Sequence, residues 1–69
     1  MKSSEWTPAR VQDELPEVRV QMPNGELCMM RVSGRLMQFA QVSDDRGRSI
    51  PFAWPTIAHC LNTGRPLIV

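Results

Sequence analysis

The residues that could do chemistry in this chain are few, and their spacing matches no catalytic or metal-binding pattern. Among 69 residues there are two cysteines and one histidine. Cys28, His59 and Cys60 form no CxxC or HxxxH arrangement, and three soft ligands are too few for a structural zinc site. His59 has no carboxylate nearby in sequence to orient it, as general acid–base catalysis requires. We expect no cofactor, no metal and no enzymatic activity, unless several subunits assemble a shared pore.

A second group of reactive side chains lies in the polar segment 44–48. Asp44 and Asp45 could act as a carboxylate pair, although adjacent aspartates more often shape a turn. Arginine binds phosphate in a planar, bidentate way, and two arginines flank Gly47 in what we expect to be a loop. Nucleic-acid binding is therefore one hypothesis, and its candidate residues are Arg31, Arg35, Arg46, Arg48 and Arg65.

Charge and composition weaken that hypothesis. The net charge is +1, with two basic against four acidic residues in 1–17 and six arginines against three acidic residues in 18–69. Seven of the eight basic residues are arginine, a bias that high-GC coding also produces. Two tryptophans, two phenylalanines and no tyrosine leave few rings on which single-stranded bases could stack. Nucleic-acid binding is the alternative rather than the favoured function.

The length allows one domain, and a core this small usually needs reinforcement. Two cysteines are too few for a disulfide-dense scaffold, so oligomerisation is the reinforcement that remains. No apolar run approaches the roughly 18 residues of a membrane span, and residues 1–15 lack the apolar core of a secretory signal. We expect a cytoplasmic protein with free thiols and with no membrane or small-molecule partner.

Two short helices are predicted. Residues 7–15 have a good N-cap in Thr7 and a proline at the first helical position. So short a helix must dock on something, either the core of its own domain or a partner. The second helix, 55–62, begins with a proline and is followed by Gly64 as its C-cap.

Five strands are predicted around these helices. From Glu17 onward apolar and polar residues alternate, which is typical of a strand with one solvated face. Tight turns are expected at Asn24-Gly25 and Ser33-Gly34, and Pro51 favours an edge position or a bulge for the fourth strand. The predicted strands cover residues 17–22, 26–32, 35–43, 49–54 and 66–69.

Four strands, a helical segment and a last short strand form an order that resembles the SH3-like small β-barrels. In those folds the last strand closes the barrel beside the first. The resemblance implies a mainly β, five-stranded barrel over residues 17–69, preceded by an arm with a short helix, residues 1–16. Residues 52–67 carry an F-A-W-x-T-I-A…L…G-R-P-L string that is similar to the tail of small proteobacterial proteins, and this second resemblance implies no activity.

With two-residue turns, the two central strands are substantially apolar on both faces. If Pro23 joins the first loop instead, the register slips by one residue and the side chains of the first strand exchange faces. The two central strands still have apolar residues on both faces. A strand with one solvated face should be polar there, and large exposed apolar patches mark interfaces. The favoured hypothesis is therefore a non-catalytic protein-interaction module, homodimeric or an accessory subunit. The predicted contacts are Trp6, Met30, Met37 and Phe39, unless the methionines simply fill an irregular core.

Overall fold

The computed structural model describes residues 5–69 of the chain. In that range the order is one helix, four strands, a second helix and a short fifth strand, so the mainly β class and both helices are confirmed. None of the helices in 5–69 has the length and apolarity to cross a membrane. The elements are α1 (Pro8–Glu14), β1 (Glu17–Gln21), β2 (Leu27–Arg35), β3 (Phe39–Ser43), β4 (Ser49–Ala53), α2 (Trp54–Thr63) and β5 (Leu67–Ile68).

Helix α1 begins at the predicted cap and covers one end of the core. The extended backbone of Thr7 lets its hydroxyl accept a hydrogen bond from the Arg10 N–H at 3.1 Å. The helix ends at Leu15, which adopts a left-handed conformation and donates its N–H to Val11 O. Val11 is fully buried. A two-turn helix is thus held by a cap at each end and by one core side chain.

The arm before α1 is tied to α2. The Trp6 N–H donates to Asn62 Oδ1 at 2.6 Å, and Asn62 Nδ2 donates to Trp6 O at 2.8 Å. The Arg10 guanidinium lies 4.1 Å from the centre of the Trp6 ring. The predicted arm therefore docks on its own domain, although residues 1–4 of it lie outside the described residues.

The five strands form one curled sheet, a half-barrel, in the order β4-β3-β2-β1-β5. Its neighbours are antiparallel, except that β5 runs parallel to β1 through the pairs Val20–Leu67 and Gln21–Ile68. The last strand lies beside the first, as predicted, and the half-barrel is compatible with an SH3-like barrel. Strand β4, which contains Pro51, lies at the edge, where a missing N–H leaves no ladder bond unmade.

The turn predicted at Ser33-Gly34 is wrong. These residues lie inside β2, where the pairing with β3 shifts by one residue at a bulge. The chain reverses later, over residues 36–38, closed by a hydrogen bond from the Leu36 N–H to Phe39 O. A Cβ on Gly34 would lie 2.9 Å from Gln41 Cβ. Glycine is needed there for close approach of two strands rather than for a turn.

The first hairpin adopts the slipped register that includes Pro23 in the loop. Val18 pairs with Met30, Val20 pairs with Cys28, and residues 22–26 form the connection. This register gathers the valines of β1 and the inward residues of β2 on one face, which we call the inner face. With side chains from both helices they form the core: Val11, Val18, Val20, Met30, Val32, Ala40, Val42, Trp54, Ile57, Ala58 and Leu67.

The opposite side of the sheet, which we call the outer face, is less apolar than predicted. On β3 its residues are Phe39, Gln41 and Ser43, and on β2 they include Arg31 and Ser33. The expectation of two substantially apolar faces is therefore wrong for β3. On the outer face, the exposed apolar residues are restricted to particular positions.

Candidate functional site

Three exposed apolar side chains lie on the outer face on the two sides of β1, two of them on β2 and one on β5. Leu27, Met29 and Ile68 are 55%, 60% and 67% exposed. The strand register places Leu27 and Ile68 on either side of Gln21, and places Met29 beside Arg19. We call Leu27, Met29 and Ile68 the edge patch. It is carried by paired strands, so its side chains project from a fixed backbone.

Met29 lies at the centre of this region. It lines three adjoining grooves of the surface. An apolar side chain encircled by polar groups has the anatomy of a protein–protein contact, with an apolar centre and a polar rim. The charged residues that share these grooves carry both signs: Glu17, Arg19, Glu26, Arg31, Asp44, Asp45, Arg46, Arg48 and Arg65.

A polar band crosses the middle of the outer face. Arg31 Nη2 lies 3.2 Å from Glu17 Oε2, and these side chains are 65% and 60% exposed. The hydroxyl of Ser43 continues the band, at 2.6 Å from Ser33 Oγ and 3.4 Å from Ser49 Oγ. The band separates the edge patch from the end of the sheet where β2 turns into β3.

A second apolar group occupies that end. Leu36 and Phe39 are 51% and 47% exposed, and Met37 at the tip of the turn is 96% exposed. Trp54 Nε1 donates to Leu36 O at 3.3 Å, which fixes the base of the turn to α2. We call Leu36, Met37 and Phe39 the hairpin-end patch.

The loop between β3 and β4 is organised by Asp44. Its carboxylate accepts the N–H groups of Arg46 and Arg48 and pairs with Arg48 Nε at 2.7 Å. Burial of the carboxylate alone would raise the pKa of Asp44, but these hydrogen bonds, chiefly from the Arg48 side chain, leave it below its usual value. The same pairing raises the pKa of Arg48. Asp44 therefore shapes the turn, the role that adjacent aspartates most often have.

The five arginines proposed for nucleic-acid binding are not gathered into one patch. Arg31 and Arg48 are engaged in the two ion pairs described above. Arg35 donates to a backbone carbonyl oxygen in the last turn of α1 at 2.7 Å and lines a groove beside that helix. Within residues 5–69, the guanidinium groups of Arg46 and Arg65 make no hydrogen bond or ion pair, and they line different grooves.

The four predicted contact residues differ in position and in exposure. Met30 is 2% exposed and belongs to the core, so it is not available to a partner of the folded chain. Trp6 is half-buried against α2 and the core. Met37 and Phe39 lie in the hairpin-end patch. The structure therefore brings two of the four together on an accessible surface.

Sequence reasoning missed Met29, which the two-residue turn would have placed on the same face as Val18. The slipped register pairs Val18 with Met30 and turns Met29 outward beside Arg19. The available signal was the alternation of Arg19 and Gln21 in β1, which marks the face that Met29 shares.

The thiols and the imidazole form no reactive group. Cys28 and Cys60 are free and half-buried, and no three potential metal ligands come together in the described part of the chain. Burial raises the pKa of Cys60, against a smaller opposing effect of the Arg65 charge. The Cys60 thiol therefore stays protonated at neutral pH, which is the inert form. His59 is exposed on α2.

No protein-family model, no curated protein and no solved structure matches this chain. The likeness of residues 52–67 to small proteobacterial proteins therefore has no support from homologues.

Proposed function

We propose that this protein is a non-catalytic protein-interaction module, acting as a homodimer or as an accessory subunit, and that it binds through its outer face. One observation carries the proposal: Met29 stands 60% exposed at the meeting point of three grooves, with Leu27 and Ile68 exposed beside it. Covering one such side chain contributes about 1.5–3 kcal/mol. While all three side chains remain exposed to water, they do not stabilise the folded monomer.

The backbone beneath the edge patch supports this proposal. Met29 is followed by Met30, which is anchored in the core, and both are paired with β1. An apolar residue on a rigid strand loses little conformational freedom when a partner covers it, and preorganisation of this kind raises affinity.

The test is self-association and dye binding of the whole chain from about 1 μM to several hundred micromolar. The wild type should form a complex by light scattering, or with a partner recovered from nuclease-treated native lysate, and should bind a hydrophobic dye. Met29→Glu places a charge at the centre of the edge patch. It should abolish the complex and weaken dye binding, part of which the hairpin-end patch retains. Thr56→Glu is the matched control, because it adds the same charge on the exposed first turn of α2, where a helix N-terminus favours a negative charge. A wild-type monomer without dye or partner binding would refute the proposal.

Nucleic-acid binding is the second candidate, favoured by the unpaired guanidinium groups of Arg46 and Arg65 on grooves that Met29 also lines. Phosphate contacts weaken steeply with salt. Retention on heparin and a salt-dependent shift of generic DNA, both lost in Arg46→Ala/Arg48→Ala, would support this function. If neither heparin nor DNA binds at low salt, nucleic-acid binding is refuted.

A further inference from the structure

The outer face carries a charge pattern that is complementary to itself. Glu17 on β1 and Arg31 on β2 are directly opposite one another in the strand register. Their side chains form one ion pair and remain 60% and 65% exposed, so each has room for a further partner. The acidic and the basic group lie side by side on neighbouring strands. A second copy that faces this sheet can therefore place its basic group on the acidic group of the first copy, and its acidic group on the basic one.

We infer that the occupant of the outer face is a second copy of this chain, related by a two-fold axis that runs parallel to the strands between β1 and β2. This inference rests on the proposed function and names its partner. The axis places Glu17 of each copy opposite Arg31 of the other. Two sheets then pack face to face at about 10 Å with their strands aligned.

The charges select this axis over the other simple choice. A two-fold axis through the same row but perpendicular to the strands would place Glu17 opposite Glu17 and Arg31 opposite Arg31. Like charges brought together in an interface disfavour the wrong arrangement by several kcal/mol. The parallel axis replaces two repulsive contacts with two attractive ones, and it satisfies the two-fold symmetry typical of homodimers.

The same axis covers two of the three residues of the edge patch, Met29 and Leu27. It places β2 of one copy over β1 of the other, so Met29 lies on the methylene stem of Arg19 of the second copy. The Arg19 guanidinium is held by Gly64 O, which leaves that stem fixed and available for packing. The two Met29 side chains become diagonal neighbours across the axis, and Leu27 lies over Gln21. Met29 and Leu27 thus enter the contact in the rows next to the ion pairs.

A dimer contact of ordinary size would cover a modest share of the chain's surface. The chain exposes 4801 Å² in total, and a standard interface removes about 800 Å² from each partner. That is about one sixth of the surface. A small domain that needs reinforcement gains it by covering this one side.

Charge reversal in two separate variants tests the geometry. Glu17→Arg gives a face with two positive groups and Arg31→Glu gives a face with two negative groups, so each variant alone should be monomeric at a concentration where the wild type is dimeric. Mixed in equal amounts, the two should form a heterodimer, at least tenfold tighter than either homodimer, seen by sedimentation velocity and native mass spectrometry. The intramolecular pair stays repulsive in both variants, so only contact between copies explains association on mixing.

Controls separate this inference from the proposed function. Asp13→Arg mixed with Thr56→Glu/His59→Glu supplies the same net charge changes on exposed helix positions and should give no heterodimer preference. If a reversal variant fails to fold, Glu17→Gln and Arg31→Gln take its place, and each should weaken the wild-type dimer several-fold. A wild-type dimer with a monomeric mixture would overturn the two-fold arrangement while leaving the interaction module intact. A second outcome would overturn the second copy as the occupant. In it the wild type stays monomeric, and Met29→Glu weakens dye binding or abolishes binding to a different partner.

Discussion

The inner and outer faces of β1 and β2 are built from alternate residues of the same strands, yet they differ in kind. Val18 and Met30 form one cross-strand pair that is 4% and 2% exposed. The next pair, Arg19 and Met29, faces the other way, and Met29 is 60% exposed. The inner face is uniformly apolar because the core requires it. The outer face alternates apolar and polar bands, which folding of this chain alone does not require.

This difference separates residues that hold the fold from residues that are free to serve a partner. Met29 and Met30 are identical in type and adjacent in sequence, so composition and hydropathy cannot distinguish them. Their roles differ only because Met30 faces the core and Met29 faces the outer side of the sheet.

The largest expected effect tests this pair of methionines directly. Met30→Ala removes a core side chain and should lower the free energy of unfolding by about 2–5 kcal/mol, a large part of the stability of a domain this small. Met29→Ala at low micromolar concentration should change it by no more than about 0.5 kcal/mol. Urea denaturation of both variants provides the measurement. Equal losses would mean that the register of β1 and β2 is not the one described.

An intermediate effect on the free energy of unfolding is expected at the bulge, which determines which residues of β2 and β3 lie opposite one another. Gly34→Ala places a Cβ about where Gln41 Cβ leaves no room, and overpacking of this kind lowers stability by about 1–3 kcal/mol. Denaturation of Gly34→Ala, Gln41→Gly and the double variant gives the coupling between them. The double variant should lose less than the sum of the single losses. Strict additivity would argue against the close approach of the two strands.

The smallest effect concerns the loop at the rim of the outer face and depends on pH. The pKa of Asp44 is lowered in the folded chain. Its ionised form therefore stabilises the fold above about pH 4, and this contribution disappears as the pH falls through the folded-state pKa. Asp44→Asn should therefore be less stable than the wild type at pH 7, and the difference should shrink below about pH 4.

Asp45→Asn is the matched control for this loop. The Asp45 carboxylate accepts no hydrogen bond within residues 5–69, so its loss should leave the free energy of unfolding unchanged at pH 7. A gap between Asp44→Asn and the wild type that stays constant down to pH 2 would show that the ionised carboxylate is not what holds the loop.

Local signals in the sequence predicted the elements that depend on local chemistry. Thr7 as N-cap, Gly64 as C-cap and Pro51 on an edge strand are each confirmed. Each follows from the backbone chemistry of one residue and its near neighbours. The Ser33-Gly34 turn failed because glycine serves equally for a turn and for a close approach, and only the partner strand, through Gln41, decides between them.

By itself, the sequence determined the kind of elements, their order, and the presence of more apolar strand residues than one small core can use. Only the tertiary structure decided which of those residues remain outside. Side chains in a strand alternate with a period of two, so a shift of one residue exchanges the two faces completely. Between β1 and β2 that shift depends on the length of the first loop. It placed Met30 in the core and left Met29 on the surface, beside the Glu17–Arg31 row where we expect a second copy to bind.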